Sequence, residues 1–274
     1  MIKKQIEIQG AKHLKIAIDY RYSESSYTKT PVVYVHGYKG FKDWGASNLI
    51  ADLFAEEGFF YVKFNFSHNG VDTKNPIDFV DLEAFGNNNY MMELDELGFV
   101  IDWLEASEFD IDLSKLAVIG HSRGGGITLL KTAQDQRIKK IITWASVCDF
   151  KRRFPSDLND WKESGVQYIY NGRTLQMMPL YYQFYENFQK YELQLDILGN
   201  SVKIDRPVLI IHGTKDRAVD VVEAAELHDN IPSSQLLKIK NAGHTFGAIH
   251  PYNDAILPSE LDQVIYATLN FLLD

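Results

Sequence analysis

The sequence has 274 residues, 45% of them hydrophobic, and a formal net charge of −9. This length suits one large domain with an ample core, and the acidic balance argues against nucleic acid and anionic membrane surfaces as partners. The single Cys148 excludes an intramolecular disulfide and, with no apolar signal segment or membrane span in the sequence, predicts a cytoplasmic location.

The first third of the chain predicts a hairpin and the start of a parallel sheet. Lys4–Gln9 and Leu14–Tyr22 alternate apolar and polar residues, which is typical of antiparallel strands at a sheet edge. Pro31–Val35 reads as a buried strand, Trp44–Glu57 as an amphipathic helix and Phe59–Phe64 as the next strand.

Strands and helices continue to alternate in the middle of the chain. Asn75–Gly86 is predicted to be irregular, and Asn88–Ser107 to be a helix preceded by asparagine caps. The buried strand Leu116–Ile119 leads into a second helix, and Ile138–Ser146 is a further strand. Such alternation predicts βαβ units and a mostly parallel sheet with helices on both faces, an α/β fold.

The alternation breaks at about residues 150–203, where tyrosine and phenylalanine are concentrated. Val166–Tyr170 and Arg173–Met178 flank Asn171-Gly172, a hairpin-turn signal. We interpret this segment as an aromatic-rich lid inserted into a single domain of residues 1–274. The residues expected to line a substrate pocket from it are Tyr168, Tyr170 and Tyr181.

Alternation resumes with elements that complete the sheet. Pro207–His212 is predicted to be a strand, Val221–Asn230 a helix and Gln235–Ile239 a strand. A closing helix is predicted over Pro258–Leu273.

The stretch Gly120-His121-Ser122-Arg123-Gly124 has the pattern G-x-S-x-G between a strand and a helix, which is typical of a nucleophile elbow. The sharp turn lifts the Ser122 hydroxyl clear of the sheet and places it at a helix N-terminus, where negative charge is favoured. The alternative is a glycine-rich βα turn without chemistry.

A serine hydroxyl needs a base, and the base needs an acid that orients it. His244 follows the last strand and is our candidate base, whereas His121 is too close to the serine in sequence. Asp216, after the strand that ends at His212, is the candidate acid. Asp149 is its rival, because a carboxylate there could also reach His244.

The oxyanion of a tetrahedral intermediate requires hydrogen-bond donors. The expected donors are the backbone N–H groups of Arg123, after the nucleophile, and of Tyr38, in the loop after Pro31–Val35. Phe41 and Trp44, beside this loop, are expected pocket walls.

On these residues the chain resembles the α/β-hydrolase superfamily over nearly its whole length. The matching residues are His36-Gly37-Tyr38, Gly120–Gly124, Gly213-Thr214-Lys215-Asp216 and Gly243-His244. Within it, small esterases and prolyl-oligopeptidase-like and feruloyl-esterase-like enzymes are most similar. The resemblance implies a Ser–His–Asp mechanism through an acyl-enzyme, with no metal or cofactor. Peptidases of that group usually carry a large extra N-terminal domain, and only about 30 residues precede the core here, which argues for an esterase.

The leading hypothesis is a serine hydrolase that cleaves a small-to-medium carboxylic ester. The alternatives are hydrolysis of an amide, peptide or thioester, and a ligand-binding protein on a hydrolase scaffold. Lys151, Arg152, Arg153 and Arg173 could meet a substrate carboxylate or form a solvated basic patch.

Overall fold

The computed structural model describes residues 1–24 and 27–274. Its strands are β1 (Ile2–Gln9), β2 (Lys15–Tyr22), β3 (Pro31–Val35), β4 (Phe60–Asn65), β5 (Ala117–His121), β6 (Lys140–Trp144), β7 (Val166–Asn171), β8 (Gln176–Tyr181), β9 (Val208–Gly213) and β10 (Ser234–Ile239). Its α-helices are α1 (Ser47–Glu56), α2 (Leu82–Gly86), α3 (Tyr90–Glu105), α4 (Arg123–Gln134), α5 (Asn159–Ser164), α6 (Gln183–Lys190), α7 (Ile197–Ser201), α8 (Val221–Asn230) and α9 (Ser259–Leu273). None of these helices is long and apolar enough to cross a membrane, in the part of the chain that is described.

The central sheet of the described residues has eight strands in the order β1-β2-β4-β3-β5-β6-β9-β10. The pairs from β4 to β10 are parallel, whereas β1 pairs with β2 and β2 with β4 in antiparallel fashion. The predicted edge hairpin and the mostly parallel sheet are therefore confirmed. Parallel strands align their carboxyl ends at one edge, so the loops after β3, β5, β9 and β10 meet there.

Two apolar layers cover the sheet because successive strand residues point to opposite faces. Val33 and Val35 of β3 face the layer that contains α3, α4 and α8, and Val32 faces the layer that contains α1 and α9. All three valines are fully buried. This arrangement confirms the predicted α/β architecture with helices on both faces.

Some element boundaries differ from the predictions for local reasons. Trp44 lies in a turn before α1, with its backbone N–H donating to the Phe41 carbonyl at 3.1 Å. The segment predicted to be irregular ends in the short helix α2, because the Asp81 carboxylate accepts from the Ala84 N–H at 2.8 Å and caps it. Asn89 caps α3 by accepting from the Met92 N–H at 3.0 Å, as predicted from the asparagine run.

The segment of residues 150–203 carries the antiparallel pair β7–β8, separate from the central sheet. The predicted hairpin is confirmed, although its second strand begins at Gln176 rather than at Arg173 because the connecting turn is longer than a two-residue loop. Phe184 and Phe188 of α6 are buried against Tyr90 and Phe154, so part of the aromatic content serves as a local core. The assignment of this segment as a lid over the sheet stays a prediction.

Candidate active site

Ser122 lies at the apex of the turn between β5 and α4. Its backbone φ of 56° and ψ of −121° is a strained conformation for a residue with a side chain. Three hydrogen bonds hold that backbone: the Ser122 N–H donates to the Trp144 carbonyl at 2.9 Å, and the Ser122 carbonyl accepts from the Gly125 N–H at 3.0 Å and from the Val147 N–H at 3.3 Å. The serine is thus the residue immediately before the first turn of a 12-residue helix.

The glycines on either side of Ser122 permit a very close approach of backbone segments. A Cβ at Gly120 would lie 2.4 Å from the Gly124 carbonyl oxygen, and a Cβ at Gly124 would lie 2.4 Å from the Val35 carbonyl oxygen. Both distances are far inside van der Waals contact. These two positions must therefore be almost free of side chain.

Asp216 and His244 come together from the loops after β9 and β10. The His244 Nδ1 lies 2.7 Å from the Asp216 Oδ2, with the Asp216 carboxylate fully buried and the His244 side chain 23% exposed. A Cβ at Gly213 would lie 2.4 Å from the Ala242 carbonyl oxygen, so the two loops touch directly. Because Nδ1 donates to the carboxylate, the neutral His244 ring keeps Nε2 as its acceptor.

The Asp216 carboxylate stays ionised. Burial alone would raise its pKa, but hydrogen bonds from His212 and His244, electrostatic attraction to His244 and a hydrogen bond from the Val219 N–H outweigh this effect and hold the pKa well below its usual range. Its Oδ1 accepts from the Ala218 N–H at 2.8 Å and from the Val219 N–H at 3.0 Å. All these donors fix the carboxylate in one orientation.

Three further histidines hold the loops around the site through hydrogen bonds to backbone carbonyls. The His121 Nε2–H donates to the His244 carbonyl at 3.0 Å, and burial lowers the pKa of His121 to about 3. The His36 Nδ1–H donates to the Gly37 carbonyl at 2.9 Å, and burial lowers the pKa of His36 to about 4. His212 Nε2 lies 3.0 Å from the Val219 carbonyl oxygen and 3.3 Å from Asp216.

The rival acid Asp149 has other partners. Its Oδ1 accepts from the Lys151 N–H at 2.6 Å, and its Oδ2 lies 3.5 Å from the Arg152 Nε. The structure brings Asp216 to His244 and leaves Asp149 at the start of the following turn.

The loop after β3 packs directly against Ser122. A Cβ at Gly37 would lie 2.9 Å from the Ser122 Cβ and 3.4 Å from its Oγ. Tyr38 and Ser122 border the same two clefts. Tyr38, next to Gly37, and Arg123, next to Ser122, therefore lie beside the serine on two different elements, and their role as oxyanion donors stays a prediction.

Two clefts open on either side of Ser122 and His244. The apolar cleft has a volume of about 380 Å³ and the following side chains in its wall: Val147, Phe150, Phe154, Ile169, Leu180 and Phe184. The basic cleft has a volume of about 410 Å³ and the following side chains in its wall: Lys39, Phe41, Trp44, Asn171, Arg173 and His250. Phe41 and Trp44 line this cleft, and their role as walls of a substrate pocket stays a prediction. Tyr38 and Lys39 border both clefts.

The Arg123 side chain lines the apolar cleft and is nearly buried. Its guanidinium carbon lies 4.1 Å from the Tyr38 ring centroid and 5.1 Å from the Tyr90 centroid. Its Nη1 lies 3.3 Å from the buried Glu93 carboxylate. Burial raises the pKa of Glu93, with the Arg123 charge opposing the shift. The pair fixes the side chain that follows the nucleophile.

The prediction that Tyr168, Tyr170 and Tyr181 line the pocket is wrong, because none of them lines either cleft. Tyr168 is 58% exposed and Tyr170 is 55% exposed, and the Tyr181 hydroxyl donates to Glu83 at 2.5 Å. Side chains alternate along β7, so the residues that alternate with Tyr168 and Tyr170 face the site instead. Those cleft residues are Gln167, Ile169 and Asn171.

Sequence reasoning missed Lys39, Asn171 and His250 as wall residues. Lys39 directly follows Tyr38 in the loop after β3. The alternation of side chains along β7 would have placed Asn171 on the face of the hairpin opposite Tyr168 and Tyr170. His250 lies in the chain just after the Gly243-His244 motif, but no motif or periodic pattern marks it as a wall residue. Across residues 1–24 and 27–274, no group of His, Cys, Asp or Glu side chains is arranged to hold a metal ion.

Comparison with known proteins places this geometry in context. A sequence model of the prolyl oligopeptidase family matches residues 46–255. An uncharacterized 31.7 kDa protein of Escherichia coli, from the traX-finO intergenic region, is 26% identical over 148 residues, which are 53% of this chain and 47% of that protein. The matched region thus spans about half of the length of that curated relative.

Solved structures share the fold across almost the whole chain. Est1E from Butyrivibrio proteoclasticus, in a structure with bound ferulic acid, is 18% identical with a TM-score of 0.76 and 98% coverage of both chains. A hydrolase-like protein from Agrobacterium vitis is 16% identical with a TM-score of 0.76, covering 99% of this chain and all of that one. These likenesses confirm the α/β-hydrolase fold and the resemblance inferred from the motifs.

Proposed function

This chain belongs to the prolyl oligopeptidase family, and from that premise we propose that it is a serine hydrolase that cleaves a small-to-medium carboxylic ester through an acyl-enzyme. The observation that carries the proposal is the 2.7 Å contact between the His244 Nδ1 and the Asp216 Oδ2, at a site where His244 and Ser122 border the same clefts. An ordered carboxylate–imidazole pair beside a serine on a strained elbow is the arrangement that activates a hydroxyl.

In the proposed reaction the Ser122 Oγ attacks the ester carbonyl, and the His244 Nε2 accepts the hydroxyl proton. The ionised Asp216 stabilises the imidazolium that forms. The N–H groups of Tyr38 and Arg123 donate to the oxyanion, and His244 then protonates the leaving alcohol. A water molecule, deprotonated by the same imidazole, releases the acid and regenerates the serine.

The apolar cleft suits the uncharged part of such a substrate. Its wall of aromatic and aliphatic side chains encloses about 380 Å³, enough for a small aromatic or short aliphatic group. Est1E has been solved with ferulic acid bound, so an aromatic acid is one candidate acyl group for this chain.

Peptide hydrolysis is the second candidate, because the matching family is named for a peptidase. The same serine, base and oxyanion donors would serve an amide, with protonation of the leaving amine by His244. Peptide p-nitroanilides, tested beside esters with the same acyl group, separate the two activities.

The decisive experiment is hydrolysis of p-nitrophenyl esters of increasing acyl length by the wild type, Ser122→Ala and Ser259→Ala. Loss of the nucleophile is expected to lower kcat by at least about 10⁴-fold, whereas the exposed Ser259 on α9 is a matched control that should keep the wild-type rate. Wild-type activity in Ser122→Ala would overturn the proposal. Stoichiometric labelling of Ser122 by a phosphonate would exclude a merely ligand-binding role.

A further inference from the structure

The basic cleft is lined by cationic side chains that lack carboxylate partners. The three basic residues after β6 are each paired with a glutamate, as follows: Lys151 with Glu192, Arg152 with Glu226 and Arg153 with Glu223. Lys39 and Arg173, by contrast, have no ion-pair partner among residues 1–24 and 27–274. Both are partly buried, so their charges lack part of the solvation that water would give them.

Arg173 is held in place by uncharged contacts. Its Nη2 donates to the Ile77 carbonyl at 2.9 Å, and its guanidinium carbon lies 5.3 Å from the Phe41 centroid and 5.7 Å from the Phe79 centroid. Burial lowers the pKa of Arg173, and the exposed Asp78 opposes that shift without forming an ion pair in the described part of the chain. A guanidinium remains charged under these conditions and keeps further N–H groups for a ligand.

Two neutral donors in the same wall also lack acceptors. The Asn171 Oδ1 accepts from the Arg173 N–H at 3.2 Å, and its Nδ2 is buried without a partner in the described residues. The His250 Nδ1 accepts from the Gly45 N–H at 2.8 Å, so the ring proton is on Nε2, which is likewise buried and unpartnered. Buried donors without acceptors are costly, and these two add partial positive charge to the wall of the basic cleft.

The wall therefore offers donors and positive charge but no matching acidic group. No Asp or Glu of the described residues lines the basic cleft. A cation would be repelled there, whereas an anion would be attracted by the charges of Arg173 and Lys39. A carboxylate suits a guanidinium best, because its two oxygens match the fork of N–H groups.

We propose that the basic cleft binds a carboxylate of the substrate, so that the preferred ester carries an uncharged part in the apolar cleft and a carboxylate-bearing part beside Arg173. This inference rests on the proposed function, since it assigns the substrate of that serine. The two clefts meet at Ser122, which places the scissile bond between the apolar and the anionic halves.

The test uses two pairs of esters in which a carboxylate is replaced by its neutral carboxamide. In one pair the leaving group carries the charge: 4-carboxyphenyl butanoate against 4-carbamoylphenyl butanoate. In the other the acyl group carries it: 4-nitrophenyl hydrogen adipate against the corresponding adipamate. Each kcat/KM is divided by the uncatalysed rate. We expect at least about tenfold preference for the carboxylate in one pair, and that pair identifies the charged side.

Substitution of Arg173 tests the site itself. Arg173→Gln is expected to lower the carboxylate-to-carboxamide ratio about tenfold, and Arg173→Lys to retain most of it. Lys151→Gln, which changes an exposed, glutamate-paired cation outside the cleft, is the matched control and should keep the wild-type ratio.

The outcomes separate this inference from the proposed function. Ser122-dependent hydrolysis with a ratio near one in both pairs, or a wild-type ratio in Arg173→Gln, overturns the carboxylate site alone. Absence of Ser122-dependent hydrolysis of all four esters overturns both.

Discussion

Asp216 is the residue on which the geometry of the site depends most. Its Oδ1 is held by the N–H groups of Ala218 and Val219, which leaves Oδ2 for the His244 Nδ1 at 2.7 Å. His212 approaches the same oxygen at 3.3 Å. As the proposed acid, a carboxylate held by this many donors would fix both the tautomer and the tilt of His244 before any substrate binds.

Asp216→Asn is therefore expected to lower kcat for ester hydrolysis by about 10³- to 10⁴-fold, because an amide can donate to Nδ1 and stabilise the wrong tautomer. Steady-state kinetics on the best p-nitrophenyl ester measures this. Asp149→Asn is the matched control and should cost less than about threefold, since Asp149 serves a turn and a surface arginine. A severe loss in Asp149→Asn with a mild one in Asp216→Asn would reassign the acid.

At the scale of an element, the unit of β5, the Ser122 turn and α4 leaves no room for a side chain at Gly120 or Gly124. Gly124→Ala would place a Cβ 2.4 Å from the Val35 carbonyl oxygen, and a backbone atom cannot rotate away as a side chain can. We expect a loss of at least about 1–3 kcal/mol in the free energy of unfolding, with loss of ester hydrolysis as the elbow shifts. Urea unfolding and kcat measure the two effects.

Gly172→Ala is the control for this substitution, because its added Cβ would meet only the Tyr170 ring at 3.8 Å. Its free energy of unfolding should stay within about 0.5 kcal/mol of the wild type. Equal stability of the Gly124 and Gly172 variants would show that the elbow is less tightly packed than its geometry indicates.

Most elements of the fold could be predicted because alternation and apolar runs have a clear period. The helix α8 was predicted over Val221–Asn230 and occupies those residues, and β3 likewise occupies Pro31–Val35. The short helix α2 could not be predicted in the same way, since five residues stabilised by one cap carry no periodic signal.

The positions of candidate site residues could be predicted where motifs restrict the backbone. They were wrong where the prediction depended on composition alone. Ser122, Asp216 and His244 follow strand ends, and strand ends at one sheet edge must converge. The tyrosines of β7 were assigned to the pocket by aromatic content, but the face of a two-stranded hairpin depends on how it packs against the core. That packing turned Ile169 inward and left Tyr168 exposed.

At the scale of the whole molecule, buried neutral histidines link stability to pH. Burial lowers the pKa of His36 to about 4 and of His121 to about 3, whereas an unfolded histidine titrates near pH 6.5. Between these values the unfolded chain binds more protons than the folded one. The stability that depends on a neutral ring is therefore lost as the pH falls from about 6.5 toward 4, by up to about 1.4 kcal/mol per pH unit for each histidine.

His36→Asn should reduce the slope of the free energy of unfolding against pH by about the contribution of one histidine. An Asn amide keeps a donor near the Gly37 carbonyl without titrating. The free energy of unfolding from urea titrations at several pH values between 4.5 and 7 measures the slope. The exposed His13→Asn is the matched control. An unchanged slope in His36→Asn would mean that its ring is protonated in the folded state at these pH values.

The two clefts that meet at Ser122 differ in chemistry, one walled by aromatic and aliphatic side chains and the other by Arg173 and Lys39. For an ester of the proposed kind that spans both clefts, we expect one binding direction, with a single face of the carbonyl presented to the serine. The two mirror-image forms of an ester with a stereocentre next to the carbonyl would then project different substituents at Gly37 and Tyr38. We therefore expect kinetic resolution of such racemic esters, measured as different kcat/KM values for the two enantiomers.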